Sequence, residues 1–128
     1  MITQVSQGVS VSVFTSYEEE LSNPLNRHFI FTYRIRIENQ NNFTIQLLRR
    51  HWEIQDSLSF PREVEGEGVI GEQPLLEPGH WYEYESACNL TSNVGSMKGT
   101  YLFQRVDNGN LFQANIPLFM LVTPDKLN

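Results

Sequence analysis

Apolar and polar residues alternate with a period of two over the early part of the chain. Val9, Val11 and Val13 alternate with Ser10 and Ser12. From Phe29 onward the odd positions Phe29, Phe31, Tyr33, Ile35 and Ile37 are apolar, with Thr32, Arg34, Arg36 and Glu38 between them and Ile30 as the exception. Successive side chains of a strand point to opposite faces, so each run predicts a strand with one buried face and one wet face. The cluster Asn39-Gln40-Asn41-Asn42 reads as a turn. After it Ile45 and Leu47 keep odd parity whereas Trp52 and Ile54 are even. A change of face within one strand predicts a β-bulge near Leu48 to Arg50.

Downstream, Leu58, Phe60, Arg62 and Val64 read as a short, interrupted strand, and the Gly-rich stretch 66–71 leads into another at Gln73-Pro74-Leu75-Leu76. Glu77-Pro78-Gly79-His80 puts Pro and Gly at the central positions of a type II turn. It predicts a hairpin into the strand Trp81 to Cys88, along which Tyr82 and Tyr84 alternate. Met97, Gly99, Tyr101 and Phe103 share one face of the next strand. Asp107-Asn108-Gly109-Asn110 is a hairpin signal, and Phe112, Ala114 and Ile116 form the last face. No stretch has room for a helix of ordinary length. About eight short strands joined by turn residues predict an all-β fold, an antiparallel β-sandwich of immunoglobulin or fibronectin type III-like kind.

At 128 residues the chain is expected to form a single domain, residues 1–128. Nine Lys and Arg against fifteen Asp and Glu give a net charge of −6. That balance speaks against a nucleic-acid partner, because neutralising phosphates takes clustered basic residues. With Cys88 the only cysteine, an intrachain disulfide and a multi-thiolate zinc site are excluded. The start, Met1 to Gln7, has neither the basic residues nor the apolar run of a secretory signal. The apolar stretch Ile116 to Val122 falls far short of the ~20 residues that cross a bilayer. A cytoplasmic protein with no membrane partner is the expectation.

Three groups of residues carry candidate chemistry. Gly66-x-Gly68-x-x-Gly71 spells a dinucleotide fingerprint, but Pro74 and Pro78 leave no room for the helix whose N-terminus would receive the pyrophosphate. Two readings are open: glycines that permit a tight turn between strands, or a loop that binds phosphate through its N–H groups. Arg49, Arg50, His51 and Asp56 surround Trp52, and a bulge there would aim them at one site. Together with the glycines, Arg49 and Arg50 make a candidate anion site. The alternative is Trp52 in the core and an arginine paired with acidic neighbours. Glu63, Glu65 and Glu67 share one face of a regular strand. They are either a candidate site for Mg²⁺ or Co²⁺, or charges that guard a solvated strand edge. His28, His51 and His80 show no ligand spacing, and Cys88 reads as a small buried thiol. No nucleophile, base and orienting group assemble, so no catalytic residues are assigned and no resident cofactor is expected.

The runs Arg49-Arg50-His51-Trp52-Glu53-Ile54-Gln55-Asp56 and Gly66-Glu67-Gly68-Val69-Ile70-Gly71-Glu72-Gln73-Pro74-Leu75-Leu76-Glu77-Pro78-Gly79 resemble the bacterial ApaG family. The match continues through Tyr84, Ser86, Cys88, Leu90, Gly95, Met97, Gly99 and Tyr101 to Ile116-Pro117-Leu118-Phe119-Met120-Leu121. The resemblance implies a fibronectin type III-like sandwich and no established reaction. It also implies an association with cobalt resistance and magnesium efflux, and protein recognition by related domains inside larger eukaryotic proteins. A non-catalytic binding or regulatory module that recognises a protein partner is therefore expected. The alternative is a sensor of Mg²⁺, Co²⁺ or a pyrophosphate-containing nucleotide. Self-association through an edge strand is open.

Overall fold

The computed structural model describes residues 1–126. Two antiparallel sheets stack face to face. The first has the order β1 (Ile2–Ser6), β2 (Val9–Tyr17), β3 (Phe29–Asn39), β7 (Trp81–Leu90). The second has the order β5 (Arg62–Glu67), β4 (Ile45–Asp56), β8 (Val94–Arg105), β9 (Leu111–Val122), and the two-residue β6 (Leu75–Leu76) pairs with the start of β4. The helical segments among the described residues are three-residue 3₁₀ turns. This is the sandwich that the alternation predicts, with the valines of β2 and Phe31, Tyr33, Ile35 and Ile37 of β3 buried against the second sheet.

The core is closed by aromatic contacts between and within the sheets. Trp52, only 2% exposed, meets Tyr33 edge-on at 5.4 Å between centroids and Phe119 at 5.9 Å. Such pairs add about 0.5–1.5 kcal/mol each beyond the area they bury. The hydroxyls of Tyr84 and Tyr101 share a 2.5 Å hydrogen bond between the sheets, so neither buried oxygen is left unpaired.

The bulge lies where the parity change puts it: the β4–β8 register shifts between Leu47 and Arg49. Leu48, the extra residue, accepts bonds at its carbonyl from the Gly68 N–H and the Gln73 side-chain amide. A second shift, between Met97 and Gly99 of β8, sets Pro117 and Leu118 of β9 outside the regular pairing. Proline has no N–H to give to a ladder, which suits it to a bulge.

Three expectations need correction. The turn at Glu77–His80 forms, with Gly79 at φ +80° and the His80 N–H donating to the Glu77 carbonyl. It does not close a hairpin: β6 pairs with β4 and β7 pairs with β3, so this turn carries the chain from one sheet to the other. Leu58 and Phe60 are not in a strand; they are exposed in the loop before β5, Phe60 to 89%. The chain also has a strand, β1, ahead of the first alternating run. Its inward positions Gln4 and Ser6 are polar, which hides the period. The Gln7–Gly8 turn, both residues at positive φ, folds it back onto β2.

Candidate functional site

The bulge in β4 decides which side chains meet. It sends Arg50 inward with Trp52 and Ile54, and Arg49, His51 and Glu53 outward. Across the ladder Arg50 faces Gly66 and Ile54 faces Arg62. Arg62, Val64 and Gly66 therefore share the inner face of β5. β5 ends the second sheet and β7 ends the first, and between these edges the sandwich opens into a cleft of about 250 Å³. Trp52, Ile54 and Met97 form an apolar floor, and Arg50, Arg62, Ser86, Cys88 and Asn89 line the mouth.

Gly66 makes room for the Arg50 guanidinium: a Cβ there would come within 3.0 Å of both terminal nitrogens. The guanidinium lies across β5, and its Nη1 donates to the carbonyls of Glu67 and Gly68, each at 3.0 Å. Arg62 reaches across the cleft, its Nη2 donating to the Asn89 carbonyl at 2.7 Å and to the Cys88 sulfur at 3.4 Å. Burial pushes the Cys88 thiol up, against the opposing pull of Arg62, so it is a protonated, covered thiol. Burial likewise raises the Tyr33 hydroxyl, against an opposing pull from Ser86. At the far end Tyr82 donates to Glu72 at 2.8 Å; burial and that acceptor push its hydroxyl up to about 12.

The candidate anion residues are thus divided. Arg50 and Gly66 belong to the cleft, while Arg49 is exposed on the outer face opposite Glu67. The glycine loop is a tight turn: Val69 and Glu72 exchange both backbone bonds around Ile70 and Gly71, which both have positive φ. Gly68 is at φ +59°, and a Cβ there would be 2.0 Å from the Glu72 carbonyl oxygen. The N–H groups of Gly68, Val69 and Glu72 are already donated within the fold, and the loop turns carbonyls, not N–H groups, toward Arg50. Asp56, placed near the arginines by sequence proximity, instead caps the β7–β8 turn. It accepts from the Thr91 N–H, the Thr91 hydroxyl and the Ser92 hydroxyl at 2.6–2.8 Å.

Glu63, Glu65 and Glu67 do line one face of β5, opposite Glu53, His51 and Arg49 in turn. His51 Nε2 is 3.6 Å from Glu63 and 3.9 Å from Glu65, beyond hydrogen-bond reach, and has no hydrogen-bond partner among the described residues. Among the described residues no three His, Cys, Asp or Glu groups are arranged to hold an ion.

A second concentration of recognition chemistry lies on the outer face of the first sheet. There Arg36 stacks over Trp81 at 4.0 Å and Arg34 over Phe14 at 4.9 Å, while Arg34 also pairs with Glu83 at 3.3 Å. Trp81 is 51% exposed. Its signal was present in the parity of β7: with Tyr82 and Tyr84 inward, Trp81 falls on the wet face with Glu83 and Glu85. The role of Arg62 had no such signal, since it depends on which strand β5 faces across the cleft.

Residues 19–105 match the model of the ApaG domain. The chain is 44% identical to Protein ApaG of Paramagnetospirillum magneticum over 126 residues, covering 98% of this chain and 96% of that protein. It belongs to the ApaG family. Protein ApaG of Anaeromyxobacter dehalogenans is also 44% identical, over the full length of both. A crystal structure from Bordetella pertussis, titled as an ApaA protein, superposes with a TM-score of 0.87 at 40% identity, covering 91% of this chain and 94% of that one. The ApaG match takes in β4, β5, the glycine loop and β7, hence the whole cleft, as well as Arg36 and Trp81. Among the described residues no helix is long and apolar enough to cross a membrane.

Proposed function

We propose that this ApaG-family chain is a non-catalytic recognition module that binds a cytoplasmic partner protein through the outer face of its first sheet. The observation that carries the reading is the exposed Arg36–Trp81 stack, flanked by Phe14 under Arg34. Trp and Arg dominate the energetics of protein interfaces, and a guanidinium already stacked has less freedom to lose on binding. The complementary partner sets an apolar side chain on Trp81 and a carboxylate against Arg36. An association with cobalt resistance or magnesium efflux would then be exerted through that partner.

The test is a photo-crosslinking amino acid placed at Ser12, opposite Arg36 in the β2–β3 register. In cells it should trap one discrete adduct, and Trp81→Ala should abolish it without altering the fold. The same group placed at Gln113, on the outer face of the second sheet, should trap nothing discrete. Equal adducts from both faces, or an adduct indifferent to Trp81→Ala, would overturn the reading.

A further inference from the structure

The cleft between β5 and β7 holds positive charge that the fold does not neutralise. The chain has fifteen acidic residues against nine basic ones, yet no carboxylate is among the described residues lining the cleft. Arg34 and Arg105 are ion-paired and Arg36 is stacked on Trp81, but neither Arg50 nor Arg62 forms an ion pair among the described residues. Each guanidinium is fixed by backbone carbonyls through one terminal nitrogen, Arg50 by Glu67 and Gly68 and Arg62 by Asn89. That anchoring holds position without cancelling charge, and leaves other N–H donors of each fork uncommitted. A preorganised fork in a partly desolvated cleft recognises oxyanions. Beside the arginines, the exposed side chain of Val64 and the accessible edges of Trp52, Ile54 and Met97 give the cleft an apolar wall that a bare inorganic ion would not use. A volume of 250 Å³, that of roughly eight waters, limits the guest to a small molecule.

The geometry points to a binding site for a small organic anion, an apolar or aromatic body bearing one carboxylate or phosphate. The anionic group lies between Arg50 and Arg62, within reach of the Ser86 hydroxyl, and the apolar body lies against Val64 and the accessible edge of Trp52. This site is on the inner side of the sandwich and is independent of the proposed protein-binding face.

The test is an amide ¹H–¹⁵N titration with phenyl phosphate and with benzoate, against phenol and inorganic phosphate at constant ionic strength. At least one aromatic anion should give saturable shifts at Arg50, Arg62 to Gly66, Ser86 to Asn89 and the Trp52 indole. Whichever of the two binds more tightly identifies the head group. Arg62→Gln, at an exposed position, should weaken binding about tenfold or more, as should Arg50→Gln. Arg49→Gln on the opposite face should leave it unchanged. If Arg50→Gln unfolds the chain, Gly66→Ala provides the second variant, because it displaces the guanidinium while keeping the charge. No saturable shift with either aromatic anion would overturn the assignment. So would phenol binding as tightly as the anions, inorganic phosphate binding as tightly as phenyl phosphate, or affinity that Arg62→Gln does not change.

Discussion

Asp56 is a buried carboxylate that accepts three hydrogen bonds, and its chemistry is structural. Burial alone would raise its pKa, but the bonds from Ser92 and Thr91 outweigh burial and hold the carboxyl below its ordinary 3.8. A carboxylate whose folded pKa is depressed adds stability above the unfolded pKa and loses it as pH falls through the folded one. Stability should therefore drop below about pH 4 more steeply in the wild type than in Asp56→Asn. At neutral pH that substitution should cost about 1–3 kcal/mol, since its amide faces donors that the carboxylate satisfied. Thermal unfolding followed from neutral to strongly acidic pH checks both expectations, and the two curves should converge in acid. Burial also raises Tyr84 and Tyr101, which keeps their shared hydrogen bond protonated throughout this range. Sequence proximity was misleading here: Asp56 is four residues from Trp52 but bonds to Thr91 and Ser92, contacts that only the docking of two strands creates.

At the scale of elements, the strands were legible where one face is buried and the other wet. β3 shows this from Phe31 to Asn39, and β4 shows it even through the bulge, because the burial pattern resumes on the other parity at Trp52. Legibility failed at edges. β1 carries polar residues inward, and Leu58 and Phe60 are apolar without being buried. Pairing between sheets left no local trace, so the turn at Gly79 resembled a hairpin although its flanking strands belong to different sheets. The glycine loop illustrates the same limit: the spacing is that of a phosphate loop, while the pairing around it makes a tight turn. Gly68 and Gly71 both need positive φ, which costs an alanine about 1–2 kcal/mol. Only at Gly68 would the Cβ also strike backbone, whereas at Gly71 it meets open space. Chemical denaturation should find Gly68→Ala less stable than Gly71→Ala by about a further 1–3 kcal/mol, the usual cost of overpacking.

For the whole molecule, the sandwich separates two kinds of recognition surface. The outer face of the first sheet presents stacked Arg–aromatic pairs. The open edge between β5 and β7 presents anchored guanidiniums over an apolar floor. The acidic face of β5, Glu63, Glu65 and Glu67, borders that edge with like charges that discourage strand-on-strand association. The fold class could be read along the chain because alternation and turn residues are local, and the family because runs such as Arg49 to Asp56 and Gly66 to Gly79 resemble it. The candidate surfaces could not, since each is assembled from strands far apart in sequence, Arg36 with Trp81 and Arg50 with Arg62. The proposed function is tested most directly with ¹⁵N-labelled protein in native cell extract, read amide by amide. A protein partner on the first sheet should selectively broaden Ser10 to Phe14, Arg34 to Glu38 and Trp81 to Glu85, and Trp81→Ala should restore them. Broadening confined to the second sheet, or a spectrum identical to that in buffer, would contradict it.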